Sequence, residues 1–315
     1  MDMIKNKPFL TDEKVDDFTA EDFVFVHRNE ELLDEAYTAT SYAKDVWMHF
    51  KKNKGAVLGA VIIIVIILLA IIGPMISGYK ADAINLDVQS LPPRIQGIYK
   101  LGIFSGYEKG VDQYAAHGVS QAFYWFGTDT NGRDLFTRVW EGTRVSLIIA
   151  LSAVVIDIVI GMSYGLISGY FGGKVDMVMQ RFMEILNGIP TLVVVTLLGL
   201  VLPPGITSIV FALMITGWIG MARISRAEVL KLKESEFILA SRTLGAKNFS
   251  IIFKEVMPNI FGQLIVMSMF SIPNAIFTEA FLSFVGLGIQ APDASLGSLI
   301  SDGYKSLTGH PHIIM

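Results

Sequence analysis

No cysteine occurs in these 315 residues, so neither a disulfide framework nor a thiolate metal site is available. Charge is scarce as well. Only 17% of the residues are charged, where a soluble chain of this length carries about 25%. The basic residues form no stripe away from the membrane flanks, which sets nucleic-acid binding aside. No G-x-x-x-x-G-K-[ST] phosphate loop occurs. Gly173-Lys174-Val175 comes nearest and lacks both the upstream glycine and the hydroxyl, so no ATPase centre is expected. The N-terminus, Met1-Asp2-Met3-Ile4-Lys5, has no apolar signal core, so the first membrane span is expected to act as its own uncleaved insertion signal. The net charge of −4 is misleading, because residues 12–35 hold ten of the 29 acidic side chains.

What the chain does have is long apolar runs, at 52% hydrophobic residues. Crossing the hydrocarbon core as a helix takes about 20 residues. Five stretches qualify: Gly55–Ile76, Val145–Ile167, Phe182–Leu202, Ile206–Ala222 and Ile260–Gly288. The fourth is short, and the fifth contains Pro273, which predicts a kink or a tilt. The class is an all-α polytopic membrane protein. Lysine and arginine set its orientation. Lys44, Lys51, Lys52 and Lys54 precede the first span, and seven basic residues follow the fourth between Arg223 and Lys254. The short loop Pro203-Pro204-Gly205 has no charge. This places the N-terminus in the cytoplasm. Five spans then leave the tail Gly309-His310-Pro311-His312-Ile313-Ile314-Met315 outside, and it reads as the start of a truncated sixth span.

The domains follow. Residues 1–54 are cytoplasmic: an acidic tail expected to be mobile, then an amphipathic helix with Tyr42, Val46, Trp47 and Phe50 at helical spacing, lying on the bilayer. Residues 55–76 form the first span and 77–142 an extracytoplasmic loop long enough for a lid. Residues 143–315 form the core, with a cytoplasmic loop at 223–258.

That cytoplasmic loop carries the clearest local logic. Phe237, Ala240, Ser241 and Leu244 share one helical face, and Glu236 in the first turn suits the helix dipole. Gly245 supplies the left-handed conformation that stops a helix. A second short helix from Asn248 to Val256 is expected to end ahead of Pro258, which opens the next span. The small residues Ala240 and Ser241 admit a closely approaching partner; the alternative is an interfacial helix-turn-helix lying on lipid. Elsewhere Gly161, Gly165, Gly169 and Gly173 recur at every fourth position and predict close packing against a neighbouring helix, in this chain or a partner. Gly127, Thr128, Asp129, Gly132, Arg133 and Asp134 form a polar turn whose charges can pair, read as a cap on the outer end of the second span. Intramembrane ionisable groups are costly, so Asp157, Glu184 and Glu279, with Asn187, are candidates for the translocation path. For each carboxylate an interhelical hydrogen bond or ion pair is the alternative. His310 and His312 flank a proline and are not read as a metal site.

Leu239-Ala240-Ser241, three residues, Gly245 and then Met257-Pro258 resemble the EAA loop of bacterial ABC importer permeases. Leu239 stands where that pattern has glutamate, and Glu255 where it often has isoleucine. Phe126–Asp134 leading into Gly142-Thr143-Arg144-Val145-Ser146-Leu147 resembles the approach to the second span of peptide and nickel permeases. Glu279–Gly288 resembles the end of the fifth span in their C-type subunits. The resemblance covers about residues 45–310 and is nearest to the oligopeptide-permease C-subunit. It implies a type I ABC importer transmembrane fold, with the helix at Glu236–Gly245 seated in a cleft of an ATP-hydrolysing subunit. It implies a homologous second permease, two ATPase subunits that bind ATP and magnesium, and an extracellular peptide-binding protein as partners, with nickel or dipeptide as alternative cargo. A proton-coupled secondary transporter using Asp157 and Glu279 is the reading from another class. It lacks the expected internal repeat and leaves the glycine-stopped helix unexplained.

Overall fold

The structure, a computed structural model, describes residues 42–203 and 205–314, so the acidic tail lies outside the described residues. The chain divides into two compact units, Met1–Ile62 and Ile63–Met315. In the first, α1 (Tyr42–Lys52) carries Trp47 stacked on Phe50, with the Lys51 ammonium 5.0 Å from the Trp47 ring. After a single intervening residue, α2 (Lys54–Ser77) reaches a mean hydropathy of 3.3 and is apolar on nearly every side.

Residues 77–134 are not a loose loop. They fold around Val88, Leu91, Tyr114 and Tyr124, with a two-stranded hairpin (β1, Tyr107–Glu108; β2, Val111–Asp112) and a short α3 (Gln113–Ala116). The guanidinium of the buried Arg94 lies 4.8 Å from the rings of both Tyr99 and Tyr114 and donates to the Ser120 carbonyl.

Helix α4 begins at Leu135, ten residues before the span expected at Val145, and runs to Phe171. It contains one wider π-helical segment, Asp157–Met162. The expected third span is instead a bent pair, α5 (Gly173–Asn187) and α6 (Thr191–Gly199), meeting at 71°. Pro190 explains the break, since a residue before proline avoids the helical region and proline cannot donate. Helices α7 (Ile206–Thr216) and α8 (Ile219–Leu232) together make a span of 27 residues, longer than the expected Ile206–Ala222. Then come α9 (Glu236–Thr243), α10 (Asn248–Phe284) and α11 (Leu296–Ser306). Among the described residues, and counting the bent pair as one, five segments are long and apolar enough to cross a membrane.

The expected separate helix over Asn248–Val256 is the first part of α10 and does not stop before Pro258. The proline removes the N–H that would bond the Lys254 carbonyl, and a π-helical stretch, Ile252–Val256, carries the chain through. Asn259 Nδ2 takes up the neighbouring Glu255 carbonyl at 2.6 Å. Helix α10 loosens at Phe270, so Pro273 falls in the first turn of the following segment, where its missing donor matters little.

The glycines of α4 decide how closely α8 can approach. A Cβ on Gly161 would lie 2.7 Å from the Trp218 carbonyl, and one on Gly169 would lie 2.9 Å from Val229 Cβ. At Gly165 it would meet the Ala222 carbonyl and Ser225. The neighbour of this stripe is therefore in the same chain. Gly173 does not belong to the stripe: α4 ends at Phe171, and nothing lies within 4 Å of a Cβ placed on Gly173.

Candidate functional site

Helix α9 is an eight-residue projection held to the bundle at two points. Ile238 is fully buried in a cluster with Ile251, Ile252 and Val256 of α10 and Leu166 of α4. Arg242 Nε donates to the Tyr170 hydroxyl at 3.3 Å, with its guanidinium 4.8 Å from that ring. The Tyr170 hydroxyl in turn donates to Asn248 Oδ1 at 3.2 Å. The helix stops in a Schellman arrangement: Ala246 N–H bonds the Ser241 carbonyl and Gly245 N–H the Arg242 carbonyl, both at 3.0 Å, with Gly245 at φ +80°. Glu236 sits exposed in the first turn.

With Ile238 turned inward, the opposite surface is apolar and uncovered. Leu244 is 87% exposed, Leu239 48% and Phe237 43%; Ala240 is exposed beside them and Ser241 is half-buried. Pro258 lies on α10 beyond this surface. Ile238 and Tyr170 are the residues sequence reasoning passed over. Ile238 lay outside the face that was read, and Tyr170 is 72 positions from its partner Arg242.

At the other end of α4, Asp134 caps the helix, its carboxylate accepting from Thr137 N at 2.9 Å. Burial pushes the Asp134 carboxyl above its ordinary value, and hydrogen bonds from Thr137 act the other way. Asp129 accepts from the backbone N–H groups of Asn131 and Arg133 and from Arg133 Nε at 2.7 Å. Thr128 Oγ1 donates to the Val88 carbonyl at 2.5 Å and accepts from Leu91 N at 2.8 Å. The motif thus latches the folded 77–134 segment to the start of α4. Asp129 and Asp134 are each 3% exposed, so neither carboxylate is presented to a solute. Gly132, at φ +72°, and Gly127 lie against the Asn85 and Leu91 carbonyls, where a side chain has no room.

The intramembrane candidates separate into two kinds. Asp157 is 4% exposed and accepts from Ser271 of α10 beside a cavity of ≈ 40 Å³, above the roughly 10–15 Å³ that one water needs. Glu279 is fully buried and accepts from Ser146 of α4 at 3.2 Å and from Ser283 at 2.8 Å. Both carboxylates are engaged between α4 and α10. Glu184 is instead exposed and paired with Arg181 at 2.7 Å, and Asn187 is exposed at the 71° bend.

Comparison with known proteins agrees with this architecture. Residues 161–311 match the family described as "Binding-protein-dependent transport system inner membrane component", and residues 41–93 match the "N-terminal TM domain of oligopeptide transport permease C". The chain is 43% identical over 284 residues to the dipeptide transport system permease protein DppC of Bacillus subtilis, covering 90% of this chain and 80% of that protein. It is 44% identical over 268 residues to the oligopeptide transport system permease protein OppC of the same organism, covering 85% and 79%. The OppC protein of Haemophilus influenzae is 32% identical over 97% of this chain and 91% of its own length.

The chain is therefore a multi-pass membrane component of a binding-protein-dependent transport system, with a type I importer fold. Within that class it belongs to the peptide-type ABC permease family that includes OppC and DppC. The two names occur at nearly equal identity, so the comparison does not separate the oligopeptide from the dipeptide type. Membership sets aside the proton-driven reading.

Proposed function

We propose that this chain is one of two homologous permease subunits forming the membrane path of an ATP-driven importer of oligopeptides. Two partner ATPase subunits bind ATP and magnesium and close on ATP at the cytoplasmic side. An extracellular binding protein delivers peptide to the 77–134 segment. The N-terminus lies in the cytoplasm in this reading, which the lysines before α2 support under the positive-inside rule.

The observation that carries the reading is α9 itself: a short helix anchored by Ile238 and Arg242 that offers Phe237, Leu239 and Leu244 to the aqueous side. Uncovered apolar side chains on a rigid projection fit a concave partner surface. The small Ala240 and Ser241 let that surface come close. Anchorage through Tyr170 and Leu166 of α4 gives a displacement of α9 a direct route into a membrane span. Exposed Glu184 and Asn187 are the polar groups best placed to face the path, because Asp157 and Glu279 are already bonded within the chain. Dipeptides are the second reading, favoured by the similarity to DppC.

Affinity purification of the tagged full-length protein from its own membranes in mild detergent tests the assignment. Co-purification of a second permease and of Walker-type ATPases supports it, and a lipoprotein partner with bound peptide identifies the cargo by mass spectrometry. Purification alone or as a homo-oligomer, with no ATPase at any detergent strength, contradicts it.

A further inference from the structure

Folding brings Glu108, at the tip of the β1–β2 hairpin, beside His310 and His312, some 200 positions later in the chain. One ligand atom from each residue lies within 4.8 Å of the other two. His310 Nδ1 is 3.7 Å from Glu108 Oε2, too long for a hydrogen bond. The two imidazole rings sit 5.9 Å apart at 75° to one another. His310 Nδ1 and His312 Nε2 are both buried atoms without a hydrogen-bond partner. Buried polar atoms in folded proteins are nearly always paired, so two orphaned ring nitrogens converging beside a carboxylate need an account.

We infer that Glu108, His310 and His312 form a binding site for one divalent first-row transition cation, with zinc as the reference ion. Two imidazoles and a carboxylate are the donor set of open three-ligand zinc sites, in which water completes the tetrahedron. Tetrahedral bonds of about 2.0–2.1 Å place ligand atoms about 3.3 Å apart, so the three groups need to close by up to about 1.5 Å. Calcium and magnesium prefer all-oxygen shells and do not fit.

The surrounding backbone is ready to hold such a site. Pro311 fixes the turn between the two histidines, and the neighbouring Ile313 is buried. The His312 ring lies where a Cβ on Gly127 would be 3.2 Å away, so it packs directly on the latch motif. A bound cation would therefore clasp the hairpin onto the 310–312 turn and stiffen the 77–134 segment. This inference stands on the side-chain cluster and does not depend on which solute the protein transports.

The test is isothermal titration of zinc chloride into the full-length protein, purified with a histidine-free tag and stripped with EDTA. Parallel titrations use the Glu108→Gln and His310→Gln variants, whose positions are partly exposed and whose fold is checked by thermal unfolding in EDTA. The native protein is expected to bind one zinc, with nickel also bound and magnesium not. Each variant is expected to weaken zinc binding by more than the roughly 10–100-fold that loss of an outer-shell partner costs. Zinc is further expected to protect the exposed Lys109-Gly110 turn from protease in the native protein only. Absence of saturable binding, or equal binding by native protein and both variants, overturns the assignment.

Discussion

Pro74 and Arg144 are predicted to depend on each other. Proline at position 74 removes the donor that would bond the Ala70 carbonyl in α2, and Ala70 is buried. Arg144 of α4 fills the vacancy, with Nε and Nη2 at 3.1 and 3.0 Å from that carbonyl oxygen. A hydrogen bond from a charged donor contributes about 1.5–3 kcal/mol, and a buried carbonyl left unpaired costs in the same range. Arg144→Met keeps the apolar stem and removes both donors, so it should destabilise by about 2 kcal/mol. In a Pro74→Ala background the restored N–H at position 74 takes the Ala70 carbonyl. The same Arg144→Met change should then cost less than about 1 kcal/mol, a coupling within the usual range for residues sharing one partner. Equilibrium unfolding of the four proteins in mixed micelles measures the cycle. Equal costs of Arg144→Met in the two backgrounds would refute the reasoning.

Substitutions at four other positions probe separate links. Gly165→Ala should destabilise by about 1–3 kcal/mol, because its Cβ falls 2.6 Å from Ser225 Cβ and 2.8 Å from Arg226 N. Gly220→Ala, with open space around it, should be neutral or slightly stabilising by the same equilibrium-unfolding assay. Asp134→Ala should cost about 1 kcal/mol through loss of the cap, and Asp134→Asn should cost much less. The raised Asp134 carboxyl means the folded state holds that proton more tightly than the unfolded chain. This group therefore favours folding at acidic pH and loses that advantage as pH rises through its raised value, and Asp134→Asn should flatten that part of the pH–stability curve. At Gly245, where φ is +80°, valine should abolish transport while ATP hydrolysis continues, and asparagine, which tolerates that conformation, should retain more. Normal transport by Gly245→Val at normal membrane levels contradicts a role in transmitting motion.

What could be read from the chain was local. The stop at Gly245 and the close-packing stripe at Gly161, Gly165 and Gly169 depend on residue type and spacing within one helix. Gly173 continued the spacing on paper, but α4 had already ended at Phe171, so the fourth glycine faced nothing. The bend between α5 and α6 was hidden for the opposite reason. A hydropathy window runs smoothly across Gly188-Ile189-Pro190, whereas the backbone cannot. Long-range partners were out of reach altogether. Ser146 for Glu279, Ser271 for Asp157 and Leu91 for Thr128 lie 133, 114 and 37 positions away. The first two turned carboxylates readable as functional into groups engaged between helices, and the third turned a local cap into a latch. The Glu108–His310–His312 cluster was invisible for the same reason, since two histidines around a proline gain meaning only when the hairpin folds against them.

The absence of cysteine makes the central claim directly measurable, because a thiol introduced at Leu244 is unique in the chain. Its reaction with a membrane-impermeant maleimide can be followed in right-side-out and inverted vesicles, with and without the co-expressed ATPase subunits. If α9 is the surface on which the ATPase docks, the Leu244→Cys thiol reacts only in inverted vesicles and is protected when the ATPase is present. Labelling in right-side-out vesicles, or labelling in inverted vesicles that the ATPase leaves unchanged, contradicts that role.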